Sequence, residues 1–229
     1  MTNAKNILKS LAMAGVEWEL ESRDTKHEIR NTVAEFRAPK PAAPMSAVGI
    51  MEIALRLAAS PDLVGGIRAF AGHPLYAGAK NTVVPAGIRP SVRLLVVTDI
   101  PSLSDDSTGI ILSGPEGELF DKMIAAIGLS RADVAVTPLV FWRPAGGRTP
   151  TADELKFCRP FVDRIIKETL PKKILLLGSL AAKEIAGANL PRDHGKQIEN
   201  MIPIYKPEFI IQNPAVKKEV WTALKLVIS

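Results

Sequence analysis

Apolar residues occur along this chain in two alternating patterns: short continuous runs, and longer stretches with helical spacing. The short runs are rich in leucine, isoleucine and valine, which is typical of strands buried on both faces of a sheet. They predict strands over residues 92–98, 134–141, 173–177 and 202–205.

Between these runs, apolar residues recur every three to four positions, which predicts helices. Ser46, Thr151 and Ser179 are predicted N-caps, and Glu154 completes a capping box with Thr151. Pro160 is expected to bend or interrupt its helix. The predicted helices cover residues 46–59, 61–71, 119–128, 151–170 and 179–187, and a last one begins at 213.

Strands that alternate with helices indicate an α/β fold. We predict a three-layer α/β/α arrangement with a central, mostly parallel four-stranded sheet. Because ligands of such sheets bind at the carboxyl ends of the strands, we expect a site in the loops after Thr98, Phe141, Leu177 and Tyr205.

The first 45 residues differ from the rest of the chain. A partly helical pattern runs into a charged stretch, and Pro39, Pro41 and Pro44 then exclude a helix or a central strand. We predict two parts, with residues 1–45 as a helical appendage and Pro-rich linker and residues 46–229 as the α/β domain.

Composition narrows the function classes only slightly. The net charge of +5 is compatible with nucleic-acid binding, although many soluble proteins share it. No run of about 18 apolar residues and no signal-peptide pattern is found, so we expect a cytoplasmic protein without membrane contact. Cys158 is the single cysteine of the sequence, so no internal disulfide can form. One thiol also cannot by itself hold zinc or an iron–sulfur cluster.

Several segments resemble a known family over roughly residues 68–228. Residues 117–129 read GELFDKMIAAIGL, and residues 142–151 read WRPAGGRTPT, which is similar to a WRPPGNRTPT segment. Residues 70–75 are similar to the segment that carries the family's first cysteines, and residues 205–214 resemble a YHPAYLLRNP segment. The chain thus resembles the family 4 type of uracil-DNA glycosylase, which implies that fold and an action on DNA.

The family's functional positions are altered in this chain. Asp99 stands for the acidic residue of a GEAPG-like loop that also holds Pro101, and Leu112 replaces the phenylalanine that stacks on the flipped base. The asparagine that reads uracil aligns with Pro138, and the histidine of the last motif aligns with Lys206.

The resemblance assigns candidate roles to eight residues. Asp99 and Lys206 would be catalytic. The competing interpretations are that Asp99 caps a helix or stabilises a turn at a strand end, and that Lys206 is an exposed lysine at a strand end. The predicted base pocket comprises Pro101, Leu112 and Pro138. The predicted DNA contacts are Gly114, Arg143 and Arg148.

The family's cluster-bearing members hold an iron–sulfur cluster with four cysteines. Only Cys158 remains here, with His73 and Trp142 at positions where other cysteines would stand. We therefore expect no cofactor and no metal site.

Three hypotheses of function follow from the resemblance, and it stays open whether the chain is an enzyme. The first is a DNA-repair relative, impaired or inactive in uracil excision, that is retained for binding single-stranded or damaged DNA, or a protein partner. The second is an active DNA N-glycosylase of altered base specificity that uses Asp99 and Lys206. The third is an interaction scaffold whose N-terminal arm docks onto a repair or replication protein.

Overall fold

The computed structural model of the chain describes residues 45–228. Four parallel strands form one sheet in the order β2-β1-β3-β4. Their bounds are Leu94–Thr98 for β1, Val134–Pro138 for β2, Lys173–Leu177 for β3 and Met201–Ile204 for β4. The predicted second strand is therefore too long, because the chain turns after Pro138, where the backbone N–H of Leu139 bonds to the carbonyl oxygen of Thr98 at 2.9 Å.

The helices alternate with these strands. In chain order they are α1 Ala47–Ala58, α2 Leu63–Ala69, α3 Leu103–Thr108, α4 Gly114–Ala126, α5 Ala152–Thr169, α6 Ser179–Ala186, α7 Pro207–Gln212 and α8 Lys217–Leu224. Short 3₁₀ turns lie at Tyr76–Gly78, Arg131–Asp133, Ala145–Gly147, Pro214–Val216 and Lys225–Val227.

Successive strand residues point to opposite faces of the sheet, and each face has its own core. Leu95 and Val97 of β1 pack in the cluster that contains α1, α2 and α5. Leu94 and Val96 pack in the cluster that contains α4, α7 and α8. The predicted three-layer α/β/α fold is thus confirmed, and every strand pair is parallel.

Three local features differ from the pattern-based prediction. Helix α5 continues through Pro160 over its full 18 residues. Helices α3 and α7 were not predicted. Ser179 is the first residue of α6 and makes no cap bond from the N-cap position, which Gly178 occupies.

The predicted appendage and linker, residues 1–45, lie outside the described residues except for Met45, and the proposed domain boundary stays a prediction. From Met45 to Ile228, no helix is long and apolar enough to cross a membrane.

Candidate active site

A cleft lies at the carboxyl ends of the strands, where the sequence predicts a site. It is lined by Thr98, the last residue of β1, by Asp99 directly after it, by Leu177 of β3 and by Lys206 after β4. The cleft has about 430 Å³ of empty space, part of it open to solvent. Asp99 and Lys206, the two predicted catalytic residues, are therefore brought together by the strand ends.

Asp99 binds the amino end of a helix from the neighbouring strand connection. Its Oδ1 accepts a hydrogen bond from the backbone N–H of Ala181 at 2.7 Å, in the first turn of α6. Burial raises the pKa of Asp99, while the Ala181 bond and the positive charge of Lys206 oppose that increase. The carboxylate therefore caps α6, as the competing interpretation of Asp99 states, and the same carboxylate lines the cleft.

The Asp99 carboxylate occupies the space beside Gly178 where a side chain would otherwise project. A Cβ added at Gly178 would overlap the carboxylate carbon and both its oxygens, and Gly178 has φ 116°. Any other residue at position 178 would both strain the backbone and displace the Asp99 carboxylate. Gly178 is thus a condition for the position of Asp99.

We expect Gly178→Ala to lower the free energy of unfolding by about 1–2 kcal/mol, through backbone strain and loss of the cap. Urea denaturation would measure this change. Gly187→Ala is the matched control at the other end of α6, because Gly187 also has positive φ, 63°, but has no atom within 4 Å of an added Cβ. Equal losses in the two variants would contradict the proposed overlap with Asp99.

Lys206 is held by an acidic neighbour from the same turn. Its Nζ lies 2.7 Å from Oε2 of Glu208, and both side chains are about half-exposed. The ammonium therefore faces the cleft as half of an ion pair, which weakens it as a free electrophile.

The residues of the predicted base pocket occupy two different environments. Leu112 lines the cleft with φ 50°, and its carbonyl oxygen accepts a hydrogen bond from Nη2 of Arg131 at 2.7 Å. Pro138 is buried as the last residue of β2, opposite Thr98 of β1. Pro101 is also buried, and neither proline lines the cleft.

The predicted DNA-contact residues all have structural roles as well. Arg143 lines the cleft and donates from Nη1 to the carbonyl oxygen of Pro101 at 2.7 Å. Arg148 forms two hydrogen bonds with the Glu154 carboxylate, at 2.7 and 2.8 Å. Gly114 begins α4 with φ 63°. Their contacts with DNA stay predictions.

Three carboxylates of the cleft were not identified from the sequence: Asp105, Glu116 and Glu208. The spacing of Ser102 and Asp105 was a usable signal, because these residues form a capping box at the start of α3. Oδ1 of Asp105 also accepts from the backbone N–H and the hydroxyl of Ser113, at 2.7 and 3.0 Å.

The three residues that stand at predicted cysteine positions meet in the core. The rings of His73 and Trp142 stack with centroids 4.8 Å apart, and Nε2 of His73 lies 3.4 Å from Sγ of Cys158. Burial lowers the pKa of His73 and raises the pKa of the Cys158 thiol, so both side chains favour their neutral forms.

Comparison with known proteins finds several related sequences. A type-4 uracil-DNA glycosylase of Pyrobaculum aerophilum is 29% identical over 161 residues, which cover 64% of this chain and 81% of the relative. One of Sulfurisphaera tokodaii is 30% identical over 154 residues, covering 61% and 70%. One of Thermotoga maritima is 28% identical over 148 residues, covering 61% and 77%.

These relatives correct the prediction of no cofactor. They are type-4 enzymes, and members of that class are known to bind an iron–sulfur cluster. The prediction that no cofactor is bound, which was based on the number of cysteines, is therefore wrong. The side chains between residues 45 and 228 nevertheless do not match a set of four thiolates. Among them, no group of three or more histidine, cysteine or acidic residues could hold a metal ion.

A family-level comparison covers the fold and the cleft together. The sequence model of the Uracil DNA glycosylase superfamily matches residues 85–225. That range includes all four strands and every residue named above as lining the cleft. The chain therefore belongs to the uracil-DNA glycosylase superfamily.

Proposed function

We propose that the chain binds DNA at this cleft and is impaired in the release of uracil. The proposal rests on the side chains at three positions that the family resemblance assigns to base recognition and bond cleavage. Pro138 offers neither a side-chain amide nor a backbone N–H, Leu112 offers no aromatic ring, and Lys206 is paired with Glu208.

Uracil excision requires each of these functions. The base must leave the stack and be held by stacking and by hydrogen bonds to its Watson–Crick edge. The leaving uracil gathers negative charge on an oxygen, where a fixed donor is worth about 2.7–4 kcal/mol of transition-state stabilisation. Three altered positions together account for a large loss of rate, although such losses do not add.

A second candidate function is an active glycosylase with altered base specificity. One observation favours it: Asp99 and Lys206 still line the same cleft. A buried carboxylate beside a cation is suited to position water and to stabilise a cationic sugar.

Single-turnover base release from uracil-containing single- and double-stranded DNA, with protein in excess, tests the impairment. We expect release no faster than that of Asp99→Asn, a variant whose amide oxygen can still accept from the Ala181 N–H. Rapid uracil release that the Asp99→Asn substitution abolishes would overturn the proposal and establish a working enzyme.

Salt-dependent DNA affinity tests the binding half of the proposal. We expect the logarithm of affinity to fall linearly with the logarithm of salt concentration, and Lys206→Ala to reduce that slope by about 1 if Nζ contacts a phosphate. Lys218→Ala is the control, because Lys218 is exposed on α8, away from the cleft. Equal slopes for the wild type and the two variants would contradict a phosphate contact by Lys206.

A further inference from the structure

A mostly apolar groove is lined by helices α4, α7 and α8 and shares no lining residue with the cleft. It has about 520 Å³ of empty space, part of it open to solvent. Its larger apolar side chains are Leu119, Met123, Ile210, Val220, Trp221 and Leu224. The groove is therefore a candidate binding surface that is separate from the cleft.

The lining residues of α4 and α8 recur with the same helical spacing, i, i+3, i+4 and i+7. On α4 they are Leu119, Lys122, Met123 and Ala126. On α8 they are Lys217, Val220, Trp221 and Leu224, which span that helix from its first residue to its last. Helices that pack together in bundles form their contact stripes with this spacing. The groove thus presents two such stripes to a further helix.

Trp221 leaves much of its indole ring in water. It is 41% exposed, whereas Met123, Val220 and Leu224 of the same groove are buried. Tryptophan buries a large apolar area when it is covered, and it is among the residues most enriched at the hot spots of protein interfaces. An occupant of the groove would therefore gain most of its binding free energy by covering this ring.

The two charged side chains that line the groove are both cationic. Lys122 comes from α4 and Lys217 from α8, and no acidic side chain between residues 45 and 228 lines the groove with them. Neither ammonium group forms an ion pair in this part of the chain. A lysine packs its flexible stem along apolar surface and keeps its charged head in water. Carboxylates beside an apolar stripe would complement such a groove.

We propose that the groove binds an amphipathic helix of a partner protein, with apolar side chains in the groove and acidic side chains next to Lys122 and Lys217. Apolar residues at i, i+4 and i+7 of that helix span about 10 Å, the length of the lining stripe on α8. A symmetric contact with a second copy of this chain is disfavoured, because it would bring the same lysines towards each other. The proposal does not depend on DNA binding at the cleft.

Fluorescence anisotropy with two synthetic peptides tests the proposal on the full-length protein. The acidic probe is a labelled, stapled helix with leucine at i, i+4 and i+7 and glutamate at the flanking positions. The basic probe carries lysine in place of each glutamate. We expect the acidic probe to bind about tenfold more tightly than the basic probe. A preference below about threefold, or no saturable binding of the acidic probe, would overturn the proposal.

Reversal of the two charges should exchange the preference. We expect the double variant Lys122→Glu and Lys217→Glu to bind the basic probe about tenfold more tightly than the acidic probe. Lys218→Glu is the control, because Lys218 is exposed on α8 but does not line the groove, and it should keep the wild-type preference. A double variant that still prefers the acidic probe would contradict the proposal.

The indole ring and the other possible occupants are tested in the same way. Trp221→Ala should weaken binding of the acidic probe about tenfold, and urea denaturation shows that this variant is folded. Displacement of the acidic probe by a DNA duplex would show that the groove takes DNA. Dimerisation of the wild type that Trp221→Ala abolishes, measured by sedimentation equilibrium, would show that it takes a second copy. Either result would overturn the proposal.

Discussion

Trp142→Ala is expected to lower the free energy of unfolding by about 3–5 kcal/mol. The indole is 1% exposed and packs edge-on against Phe70 and Phe141, with ring centroids 6.0 and 5.9 Å away. It also stacks on His73, and its Nε1 donates to Oγ1 of Thr82 at 2.9 Å. Truncation would leave a cavity between these rings and a Thr82 hydroxyl without its donor. The loss in free energy of unfolding therefore exceeds the free energy of transferring the side chain to water.

Urea denaturation followed by circular dichroism would measure the change. Trp221→Ala is the matched control, because Trp221 is 41% exposed on α8 and its truncation should cost clearly less than that of Trp142. If the two variants lost equal stability, the aromatic cluster around Trp142 would not be the core element described above.

Glu154→Gln is expected to cost about 2–3 kcal/mol at neutral pH. Glu154 is buried at the start of α5, where its carboxylate accepts two bonds from Arg148 and one from the backbone N–H of Thr151 at 2.7 Å. The Arg148 bonds, followed by the Thr151 bond, lower the pKa of Glu154 to about 2. Solvent screens part of the ion pair, since Arg148 is 48% exposed, and this limits the size of the loss.

The same pair predicts how stability depends on pH. Because the folded pKa lies below the ordinary value of 4.5, the carboxylate stabilises the fold above that value, and the contribution is lost as pH falls from about 4.5 towards about 2. Glu154→Gln should therefore flatten the acid limb of a stability curve measured in urea between neutral pH and pH 3.

Glu168→Gln is the control for this experiment. Glu168 is exposed on the same helix and pairs with Arg164, which lies one helical turn before it. This pair should contribute about 0.5 kcal/mol or less to the free energy of unfolding. An acid limb that is equally steep in Glu154→Gln and in the wild type would show that the Arg148 pair does not carry the pH dependence.

The layer architecture could be predicted because strands buried on both faces need continuous apolar runs. The runs at 92–98 and 173–177 supply β1 and β3, with every residue of β1 buried. Helix α3 escaped prediction because the segment LSDDST reads as a polar loop. Its stability comes from the Ser102–Asp105 capping box and from the tertiary bonds of Asp105 to Ser113, which apolar periodicity does not register.

The candidate site was predictable in position but only partly in composition. Family resemblance placed Asp99 and Lys206 at strand ends, and the parallel sheet brings them together. The cap of α6 was assigned to Ser179 from local sequence, whereas Asp99 supplies it from another strand, a contact that no local pattern contains. Glu116 was missed because an acidic residue in the first turn of a helix is ordinarily explained by the helix dipole alone.

The strand order has a consequence for synthesis of the chain. β1, the first strand of the sheet to be made, lies in its interior, between β2 and β3. While the chain has emerged from the ribosome only as far as α5, β1 can pair with β2, but its other edge has no partner until β3 follows. The nascent protein thus exposes an apolar strand edge over the synthesis of α5 and β3, which is the kind of segment that chaperones protect from aggregation.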